Sequence, residues 1–589
     1  MSGIAPRANA VRASPLGWSP TRTPACSRPP PVTKVADDNE TSSEVGAADD
    51  APASTVKRGH PRGLYVLFSA EMWERFCYYT MRGLLTLYLI KALGQGDVQA
   101  FAIYGAYTAL VYAAPVLGGQ IADKLLGYRR AVILGGVMMA VGEFMICLGF
   151  EDAMYMGMGV IIVGNGYFKA NISSIVGKLY EEGDPRRDSG FTIFYMGINL
   201  GAVGATLIGA PVGEGLARGP MGDAGWLIGF GLAGVGMIAG LVVFIAGRKK
   251  IEGKGEPPDP KKLTEAWIAG LSRQTWTIIA SFAVVPVLYF LLKHKGIVDL
   301  LLLAALGFVL FQLVRAALAD GGREQRDRMI VLVILMVFNV VFWACFEQAG
   351  SSLTLFAERN VDRMIFGFEM PASQTQFFNP AFIILFGSVF SVMWIKLSEK
   401  NLNPNIPMKF GLGILQLGVG YLVLNVGAGM AGVDARVPLF ILALMYMLHT
   451  TGELFLSPIG LSMVTKLAPK GMTGQVMGAW FLSFAFANSA AAALAQLTGA
   501  EGEGGGGPIS AMADAAVGMV KPSTPLTDLI TEGQKMLTPE FWTKAQAAAQ
   551  ESLTTYVDIY TTMGLVTVGI GVFLMLLSGP LNKMMHGVR

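Results

Sequence analysis

The sequence predicts an all-α polytopic membrane protein, and three observations support that class. Of the 589 residues, 53% are hydrophobic and only 15% are charged, and the mean hydropathy is +0.50. A soluble protein of this length carries more charge and shorter apolar runs. Apolar runs of roughly 20 residues, each long enough to cross a ~30 Å hydrocarbon layer, recur from residue 64 to the C-terminus. A β-barrel would instead show alternating strands of about ten residues.

The composition also excludes several kinds of site. The net charge of +3 is close to neutral and does not indicate a nucleic-acid partner. The four cysteines and four histidines are scattered without metal-ligand spacing, so neither a metal site, a cofactor nor a disulfide framework is expected. A membrane-embedded enzyme would need a nucleophile–base pair or a metal cluster near the midplane. Neither is visible in the sequence, so the chain is not expected to be an enzyme.

The order of the apolar runs predicts fourteen transmembrane helices in a six, two, six arrangement. Residues 1–60 predict a disordered cytoplasmic tail, with a transit peptide or an over-extended start as alternatives. We expect a six-helix bundle at 61–247, a linker with two extra helices at 248–328, a second six-helix bundle at 329–578 and a cytoplasmic tail at 579–589. The expected spans lie at about 64–93, 101–122, 131–150, 154–180, 190–210, 225–247, 276–293, 297–318, 329–356, 376–396, 409–429, 437–466, 475–498 and 556–578.

Lysine and arginine in the short loops predict the orientation of the chain. They cluster at 123–130, 184–189 and 247–262, whereas the loops after the first and third spans contain neither residue. Both termini are therefore predicted to be cytoplasmic, with the chain in the inner cell membrane. Residues 499–555, which end in a helix-prone stretch, are predicted to form an extracytoplasmic loop.

Two six-span halves joined by a cytoplasmic linker resemble the layout of the major facilitator superfamily, whose binding sites lie near the midplane between the halves. The segment GGQIADKLLGYRR at 118–130 is similar to that superfamily's signature after the second helix. Its glycines allow close helix approach and a tight turn. The resemblance implies a gating motif in which an aspartate and two arginines form a cytoplasmic charge latch; ordinary positive-inside topology is the alternative. The motif positions are Gly119, Asp123, Gly127, Arg129 and Arg130.

The first predicted span carries charges that a bilayer disfavours. At about 100° per residue, one third of the helix circumference of segment 71–82 holds Glu71, Glu74, Arg75, Tyr78 and Arg82. A charge at the bilayer centre costs at least ~2.5–3.5 kcal/mol, so this face is expected to line a wet cavity. A purely structural charge network is the alternative, but it leaves little reason for Arg82.

Other predicted spans contribute charges whose sign differs between the two halves. The N-terminal half supplies cations, including Lys169 midway along the fourth span, and the C-terminal half supplies Glu347 and Glu453. This division suits a zwitterion, with its carboxylate toward one half and its amine toward the other. A carboxylate in a low dielectric takes up a proton more readily than one in water. These residues alone therefore predict a proton-coupled symporter.

Six ordered blocks resemble those of the proton-dependent oligopeptide transporter family. Glu71-x-x-Glu74-Arg75-Phe76-x-Tyr78-Tyr79 is similar to its signature, and the other blocks are FKANISS, FYMGINLGA, FEQAGSS, FNPAF and GELFLSPIGLS. The resemblance covers about 60–498 and the last span. It implies that the protein imports di- and tripeptides together with protons by alternating access. No cofactor besides the coupling proton is implied, and the protein would be embedded in the lipid bilayer. A symporter for nitrate or a free amino acid is the alternative, whereas a channel would not need opposing charges.

The resemblance also implies roles for individual residues. Arg75 and Lys169 would hold the peptide C-terminus, and Lys169 would also bridge to Glu453 to close one side. Proton coupling would involve Glu71, Glu74, Arg75, Lys169 and Glu453. Substrate binding would involve Arg75, Tyr78, Tyr79, Arg82, Tyr112, Lys169, Asn199, Glu347, Asn379, Glu453, Ser457 and Trp480. Helix–helix hydrogen bonding is the alternative for the two asparagines, and plain packing for the aromatic residues.

Overall fold

The computed structural model describes residues 59–181, 184, 186–219, 221–251, 253–319, 322–468, 473–499 and 538–588. Residues 59–589 belong to one compact unit. The predicted tail at 1–60, except for its last two residues, lies outside the described part. Most of the predicted loop at 499–555 lies outside it as well.

The first half of the described chain consists of helices that pack on one another through small residues. α1 packs against α5 and α7, α2 against α4, and α3 against α4 and α7. Single π-helical turns follow α2 (Ala122–Leu126) and separate α5 from α6 (Ala205–Gly209). The helices are α1 (Arg62–Lys91), α2 (Asp97–Ile121), α3 (Tyr128–Ile146), α4 (Glu151–Lys178), α5 (Arg187–Gly204), α6 (Ala210–Arg218) and α7 (Asp223–Gly247).

Four helices connect the two halves, namely α8 (Pro260–Thr264), α9 (Arg273–Ala283), α10 (Val285–Lys293) and α11 (Lys295–Ala319). The sequence predicts one span at 276–293, and the structure divides it into α9 and α10. Pro286 at the start of α10 explains the break, because proline lacks the amide hydrogen that would continue the helix. α10 packs against α4, and α11 packs against α2 and against α17 (Thr473–Leu497) of the second half.

The described residues of the second half include seven further helices. α12 packs against α17 and α18, α15 packs against α16 and α18, and α14 packs against α16. Contacts between the two halves join α2 to α17, α5 to α14 and α1 to α13. The helices are α12 (Arg323–Phe346), α13 (Ser352–Asn360), α14 (Phe378–Glu399), α15 (Ile406–Met430), α16 (Leu439–Leu467), α17 (Thr473–Leu497) and α18 (Pro539–Met584).

Short strands lie in the segment between α13 and α14 and just before α16. β1 (Val361–Asp362) pairs in parallel with β4 (Val437–Pro438). β2 (Met364–Ile365) and β3 (Phe368–Glu369) form an antiparallel hairpin. Its two turn residues, Phe366 and Gly367, have φ angles of 49° and 82°, as a tight two-residue hairpin requires.

The last helix is longer than the sequence analysis predicts. α18 has 46 residues and begins at Pro539, so residues 539–555 are helical and continuous with the predicted span at 556–578. At about 1.5 Å per residue, a helix of this length extends for about 69 Å, far more than a ~30 Å hydrocarbon layer. Part of α18 therefore projects beyond the membrane.

Eleven helical segments of the described chain are long and apolar enough to cross a membrane. Three other long helices, α1, α3 and α4, have 30, 19 and 28 residues but do not meet the same criterion of length and composition. The charged residues of α1 make it too polar for that criterion. The predicted all-α polytopic class is confirmed, and the count of fourteen spans stays a prediction.

Candidate functional site

The charged face of α1 is buried inside the protein. Glu71, Glu74 and Arg75 are 3%, 0% and 3% exposed. Arg75 donates from Nη2 to Glu74 Oε1 at 2.5 Å and from Nε to the other oxygen of the same carboxylate. Glu71 Oε1 lies 3.4 Å from Arg75 Nε, one helical turn away. Within the described chain, Glu71 Oε2 has no hydrogen-bond partner. Arg75 is thus shared by two carboxylates, and one carboxylate oxygen stays available.

Glu74 has a further partner on another helix. Asn165 of α4 donates from Nδ2 to Glu74 Oε1 at 3.3 Å, and Asn165 itself is completely buried. The sequence analysis did not single out Asn165, although it is a polar residue in a predicted span. α4 therefore helps to fix the position of the carboxylate that binds Arg75.

Arg82 joins the two halves of the protein. Its Nη2 donates to Glu347 Oε2 at 2.5 Å, and its Nε donates to the hydroxyl of Tyr104 at 2.7 Å. Nearby, Thr86 donates to the carbonyl of Gly350 at 2.8 Å. A Cβ atom at Gly350 would overlap the Tyr104 hydroxyl, so this close approach requires glycine. In this conformation Glu347 is bound to α1.

Lys169 lies on an aromatic ring. Its Nζ is 4.1 Å from the ring centroid of Tyr112, a favourable cation–π geometry. Tyr112 stacks on Phe484 of α17 with centroids 6.0 Å apart, and Trp480 contacts the same phenylalanine edge-on at 6.0 Å. The structure thus brings together three predicted residues and adds Phe484, which the sequence analysis missed.

The predicted bridge between Lys169 and Glu453 is not formed in this conformation. No ion pair of Lys169 occurs among the residues that the structure describes, and Glu453 binds Asn379 instead. Asn379 Nδ2 donates to Glu453 Oε2 at 3.1 Å and to the hydroxyl of Thr450 at 3.0 Å. The bridge requires a different arrangement of α4 and α16, because each partner is engaged within its own half.

The remaining predicted residues differ in their surroundings. Asn199 donates to the carbonyl of Tyr195 at 3.0 Å in its own helix, which fits the alternative of structural hydrogen bonding. Tyr78 and Tyr79 contact each other edge-on at 5.4 Å, and the guanidinium of Arg75 lies 5.0 Å from the Tyr78 ring. The buried hydroxyl of Ser457 has no partner in the described part of the chain.

The loop motif binds the linker rather than itself. Arg129 forms an ion pair with Glu256, and Arg130 donates to Gln274 Oε1 at 2.5 Å. Gly127 has a φ of +74°, and a Cβ atom there would overlap the linker backbone. The implied latch between Asp123 and the arginines is therefore absent from the described ion pairs, because linker and α9 side chains occupy both arginines.

The sequence analysis did not single out several buried carboxylates, of which Glu143 lies nearest to the charged face of α1. Glu143 of α3 is completely buried, and its Oε1 accepts a hydrogen bond from the Cys77 thiol at 3.4 Å. Its other oxygen has no partner in the described structure. The rule that singled out Lys169, an ionisable residue inside a span, would also have found Glu143.

A second charge cluster joins the two halves at the end of α1. Glu358 forms ion pairs with Lys91, Arg218 and Arg363, and we call these four residues the Glu358 cluster. Burial raises the pKa of Glu358, but the three cations outweigh this effect and hold it well below its usual range. Beside the cluster, Asp97 of α2 accepts two hydrogen bonds from Arg359 at 2.5 and 2.9 Å.

Another carboxylate fixes the segment before α14. Both oxygens of Glu214 accept backbone hydrogen bonds at 2.8 Å, from Ala372 and Ser373. Side chains of α1, α2 and α6 therefore bind the chain around α13 and the segment that follows it. This polar network holds the two halves together at one end of the molecule.

No metal centre is apparent in the described chain, where no group of three or more His, Cys, Asp or Glu residues is placed to hold an ion. The N-terminal half holds three cations beside the carboxylates of Glu71 and Glu74, and the C-terminal half contributes two further carboxylates. Arg75, Arg82 and Lys169 lie on one side, and Glu347 and Glu453 lie on the other. Such an arrangement can bind a molecule that has a negative and a positive end.

Comparison with known proteins gives the family. Residues 129–505 match the family model described as the POT family. The chain is 37% identical over 470 residues to the peptide transporter YePEPT of Yersinia enterocolitica, covering 75% of this chain and 89% of that protein. It is 35% identical over 459 residues to dipeptide and tripeptide permease A of Cronobacter turicensis, covering 77% and 88%.

The structural comparison agrees with the sequence comparison. A crystal structure of a peptide transporter POT in complex with alafosfalin matches with a TM-score of 0.69 and 33% identity, covering 90% of this chain and 97% of that one. The likeness confirms the predicted major facilitator fold. The chain is a multi-pass membrane transporter and not an enzyme, and it belongs to the POT family.

Proposed function

We propose that this protein is a proton-coupled symporter that imports di- and tripeptides by alternating access. The observation that carries the proposal is the placement of buried Arg75 and partly buried Lys169 in one half and of buried Glu347 and Glu453 in the other. A short peptide has one carboxylate and one ammonium group at its ends, and these charges match the two halves. The relatives named as peptide transporters and permeases support the same substrate class.

For substrate binding, we propose that Arg75 and Lys169 bind the peptide carboxylate. Glu347, Asn379 and Asn199 receive the ammonium group, with Glu453 beside them. Asn379 already donates to Glu453 at 3.1 Å, so a peptide amine can replace that hydrogen bond. The side-chain pockets are lined by Tyr78, Tyr79, Tyr112, Ser457 and Trp480, and Arg82 supports the site.

Proton coupling follows from competition for Arg75. The guanidinium is shared between Glu74, which holds it at 2.5 Å, and Glu71, which lies 3.4 Å away with one oxygen unpartnered. A proton on Glu71 removes its attraction for Arg75, and the guanidinium then becomes available to a peptide carboxylate. Lys169 and Glu453 also take part in proton coupling. When the substrate binds, Lys169 can leave the Tyr112 ring and Glu453 can leave Asn379.

Alternating access requires that the two ends of the molecule close in turn. In this structure Arg82–Glu347 and the Glu358 cluster join the halves at the end that the loop charges place outside. Lys169 and Glu453 are apart, so the bridge that would close the opposite end is not formed. We therefore propose that the conformation is closed to the outside and that both termini face the cytoplasm. In the alternative state, Arg129 and Arg130 release their linker contacts and pair with Asp123.

This proposal includes the division of the chain. Residues 61–247 and 329–578 form the two bundles, and 248–328 form the linker with the extra helices. The helix contacts support this division, because most of the packing of α1–α7 and of α12–α18 lies within each set, although α2 and α17 pack extensively across the two halves. Protons are the coupling ion, and the inner cell membrane is the proposed location.

The test is uptake of radiolabelled dialanine into proteoliposomes that contain the purified protein. We expect accumulation under an inward proton gradient and its loss on addition of an uncoupler. Competition by unlabelled dipeptide, but not by alanine or nitrate, separates the proposal from a symporter for those solutes. Uptake that is absent, or that is unaffected by the uncoupler, would contradict the proposal.

A further inference from the structure

A groove lies between the N-terminal helices and the extra helices. It has a volume of about 840 Å³ and is bounded by α2, α4, α9, α10 and the turn before α9. This volume is in the range of small-molecule sites. None of the residues proposed to bind peptide or protons lines the groove. It is therefore separate from the transport site and needs its own explanation.

The groove opens sideways at membrane depth. Two of its walls, 97–126 and 273–293, are segments long and apolar enough to cross a membrane. Leu117 on one wall is 67% exposed, and Val284 on the other is 39% exposed. Most of the lining is leucine, isoleucine, valine and alanine. A lipid chain can enter such a groove from the bilayer, whereas a water-soluble ligand would have to cross hydrocarbon to reach it.

One end of the groove is polar and basic. Trp267, Arg273 and Trp276 lie there, where α9 begins. The guanidinium of Arg273 lies 5.1 Å from the Trp267 ring, and Trp276 Nε1 donates to the carbonyl of Ile268 at 2.9 Å. Tryptophan and arginine at the end of a span are typical of the level of the lipid headgroups.

In the described part of the chain, no carboxylate neutralises the charge at this end. No carboxylate lies within 4.0 Å of Arg273 among the residues that the structure describes. The next residue, Gln274, accepts a hydrogen bond from Arg130 at 2.5 Å, so a second cation lies close to the same end. A basic pocket between transmembrane helices at the membrane edge is typical of a site for an anionic headgroup.

We infer that the groove binds an anionic phospholipid, with its phosphate at Arg273 and an acyl chain along α2 and α10. Only a ligand with an acyl chain can contact the apolar residues along the whole groove, so the occupant is a lipid and not free phosphate. A hydrogen bond of 2.9 Å between the hydroxyls of Tyr167 and Ser281 ties α9 to α4 and fixes the floor of the groove. The groove lining includes Gly118, Ile121 and Leu125, so the lipid contacts part of the loop motif segment at 118–130. The site is independent of the proposed peptide transport.

The test uses the full-length protein in phosphatidylcholine vesicles that contain a trace of photoactivatable phosphatidylglycerol with a diazirine in its acyl chain. Crosslinked residues are mapped by mass spectrometry, and a phosphatidylcholine probe with the same chain is the comparison. We expect the anionic probe to label the groove walls on α2 and α10 more strongly than the neutral probe. Arg273→Gln should lower labelling by the anionic probe about fivefold and leave labelling by the neutral probe unchanged.

Two further variants make the result specific. Arg326→Gln removes an exposed cation at the start of α12, away from the groove, and should change neither labelling. Ala280→Phe places a large side chain in the groove and should lower labelling by both probes. Equal labelling by the two probes that persists in Arg273→Gln would overturn the headgroup assignment. An absence of labelling in the groove would overturn the lipid site itself. Neither result depends on peptide uptake.

Discussion

Arg75 shows how one side chain can serve both binding and coupling. Two ionised carboxylates and one buried guanidinium together have a net negative charge, which is neutralised when one carboxylate gains a proton. Glu74 is fixed by Asn165 from α4, whereas Glu71 retains an unpartnered oxygen. The two glutamates are therefore not equivalent, and Glu71 is the one suited to change its protonation during a transport cycle.

Glu71→Gln should abolish proton-driven accumulation of dialanine while leaving counterflow exchange measurable. Glutamine has nearly the same shape but cannot take up the coupling proton, and exchange between loaded states does not require that step. Uptake under an imposed gradient and counterflow in its absence are measured on the same vesicles. Glu151→Gln, which alters an exposed carboxylate at the start of α4, is the control. Normal driven accumulation in Glu71→Gln would remove Glu71 from the coupling path.

The Arg82–Glu347 pair should show strong energetic coupling. Removal of one partner leaves the other as a buried unpaired charge, which costs about 3–5 kcal/mol. Arg82→Gln and Glu347→Gln should therefore each lower the thermal unfolding midpoint in detergent, and the double variant should be more stable than the sum of the single losses allows. Additive losses in this double-mutant cycle would show that the two side chains act independently.

Single residues of the site were largely predictable, but their partners were not. The cost of charge in a membrane pointed to Glu71, Arg75, Lys169 and Glu453 without knowledge of the fold. Asn165, Tyr104 and Phe484 escaped because a sequence shows the face of a helix but not which helix lies opposite. The conformation of the molecule could not be predicted either. Only the structure shows that Glu347 is paired with Arg82 across the halves, whereas Lys169 lies on the Tyr112 ring.

The packing of α2 on α4 depends on one glycine and not on its neighbour. A Cβ atom at Gly118 would overlap the carbonyl oxygen of Gly166, whereas one at Gly119 would lie 3.8 Å from Ala170 Cβ, an ordinary contact. Both positions lie in the same helix, so they form a matched pair that separates the effect of packing from that of helix propensity.

Gly118→Ala should destabilise the protein, because α2 and α4 must move apart to relieve the overlap. Overpacking of this kind costs about 1–3 kcal/mol. Gly119→Ala should be neutral or slightly stabilising, since alanine is favoured over glycine in a helix by about 1 kcal/mol. The thermal unfolding midpoints of the two variants in detergent provide the comparison. Equal midpoints would show that the close contact has no energetic weight.

Most helix positions were predictable to within a few residues where an apolar run defined them. The span expected at 329–356 is an exception, because α12 ends at Phe346 and α13 begins only at Ser352. The expected span at 64–93 corresponds to α1 at Arg62–Lys91, and 297–318 corresponds to α11 at Lys295–Ala319. The beginning of α18 was not predictable in this way, because hydropathy detects only the part of a helix inside the membrane. The break before α10 follows from Pro286, a local signal that a search for apolar runs ignores.

At the scale of the whole molecule, ion pairs that share one carboxylate join the two halves at one end. Three cations from α1, α6 and the segment after α13 meet at Glu358. Because these cations come from both halves, the carboxylate is the common partner on which this closure depends.

Glu358→Gln should shift the protein toward the state that is open at this end. Spin labels in place of Gln99, near the start of α2, and Val433, after α15, report the separation of the halves by double electron–electron resonance, because both side chains are exposed. The longer distances should gain population in Glu358→Gln. Glu551→Gln, which alters an exposed carboxylate of α18 outside the Glu358 cluster, is the control. An unchanged distance distribution in Glu358→Gln would show that the cluster does not hold the end closed.

The same spin-label pair tests the effect of pH. A carboxylate whose pKa is lowered in the folded state contributes stability above its ordinary value near 4.5, and that stability is lost only as the pH falls through the lower folded value. The distance distribution should therefore be the same at neutral pH and at pH of about 5. A shift toward the open state over that interval would contradict the low pKa of Glu358.

The three cations around Glu358 have a consequence for how the carrier responds to its surroundings. If this end faces outward, an acidic medium delivers the proton that is transported, but it does not loosen the outer closure. External protons then act as a cosubstrate and not as a signal. Without peptide, the carrier would adopt the same conformation in mildly acidic and in neutral surroundings. Acidity would change the rate of proton-driven transport and not the conformation of the substrate-free carrier.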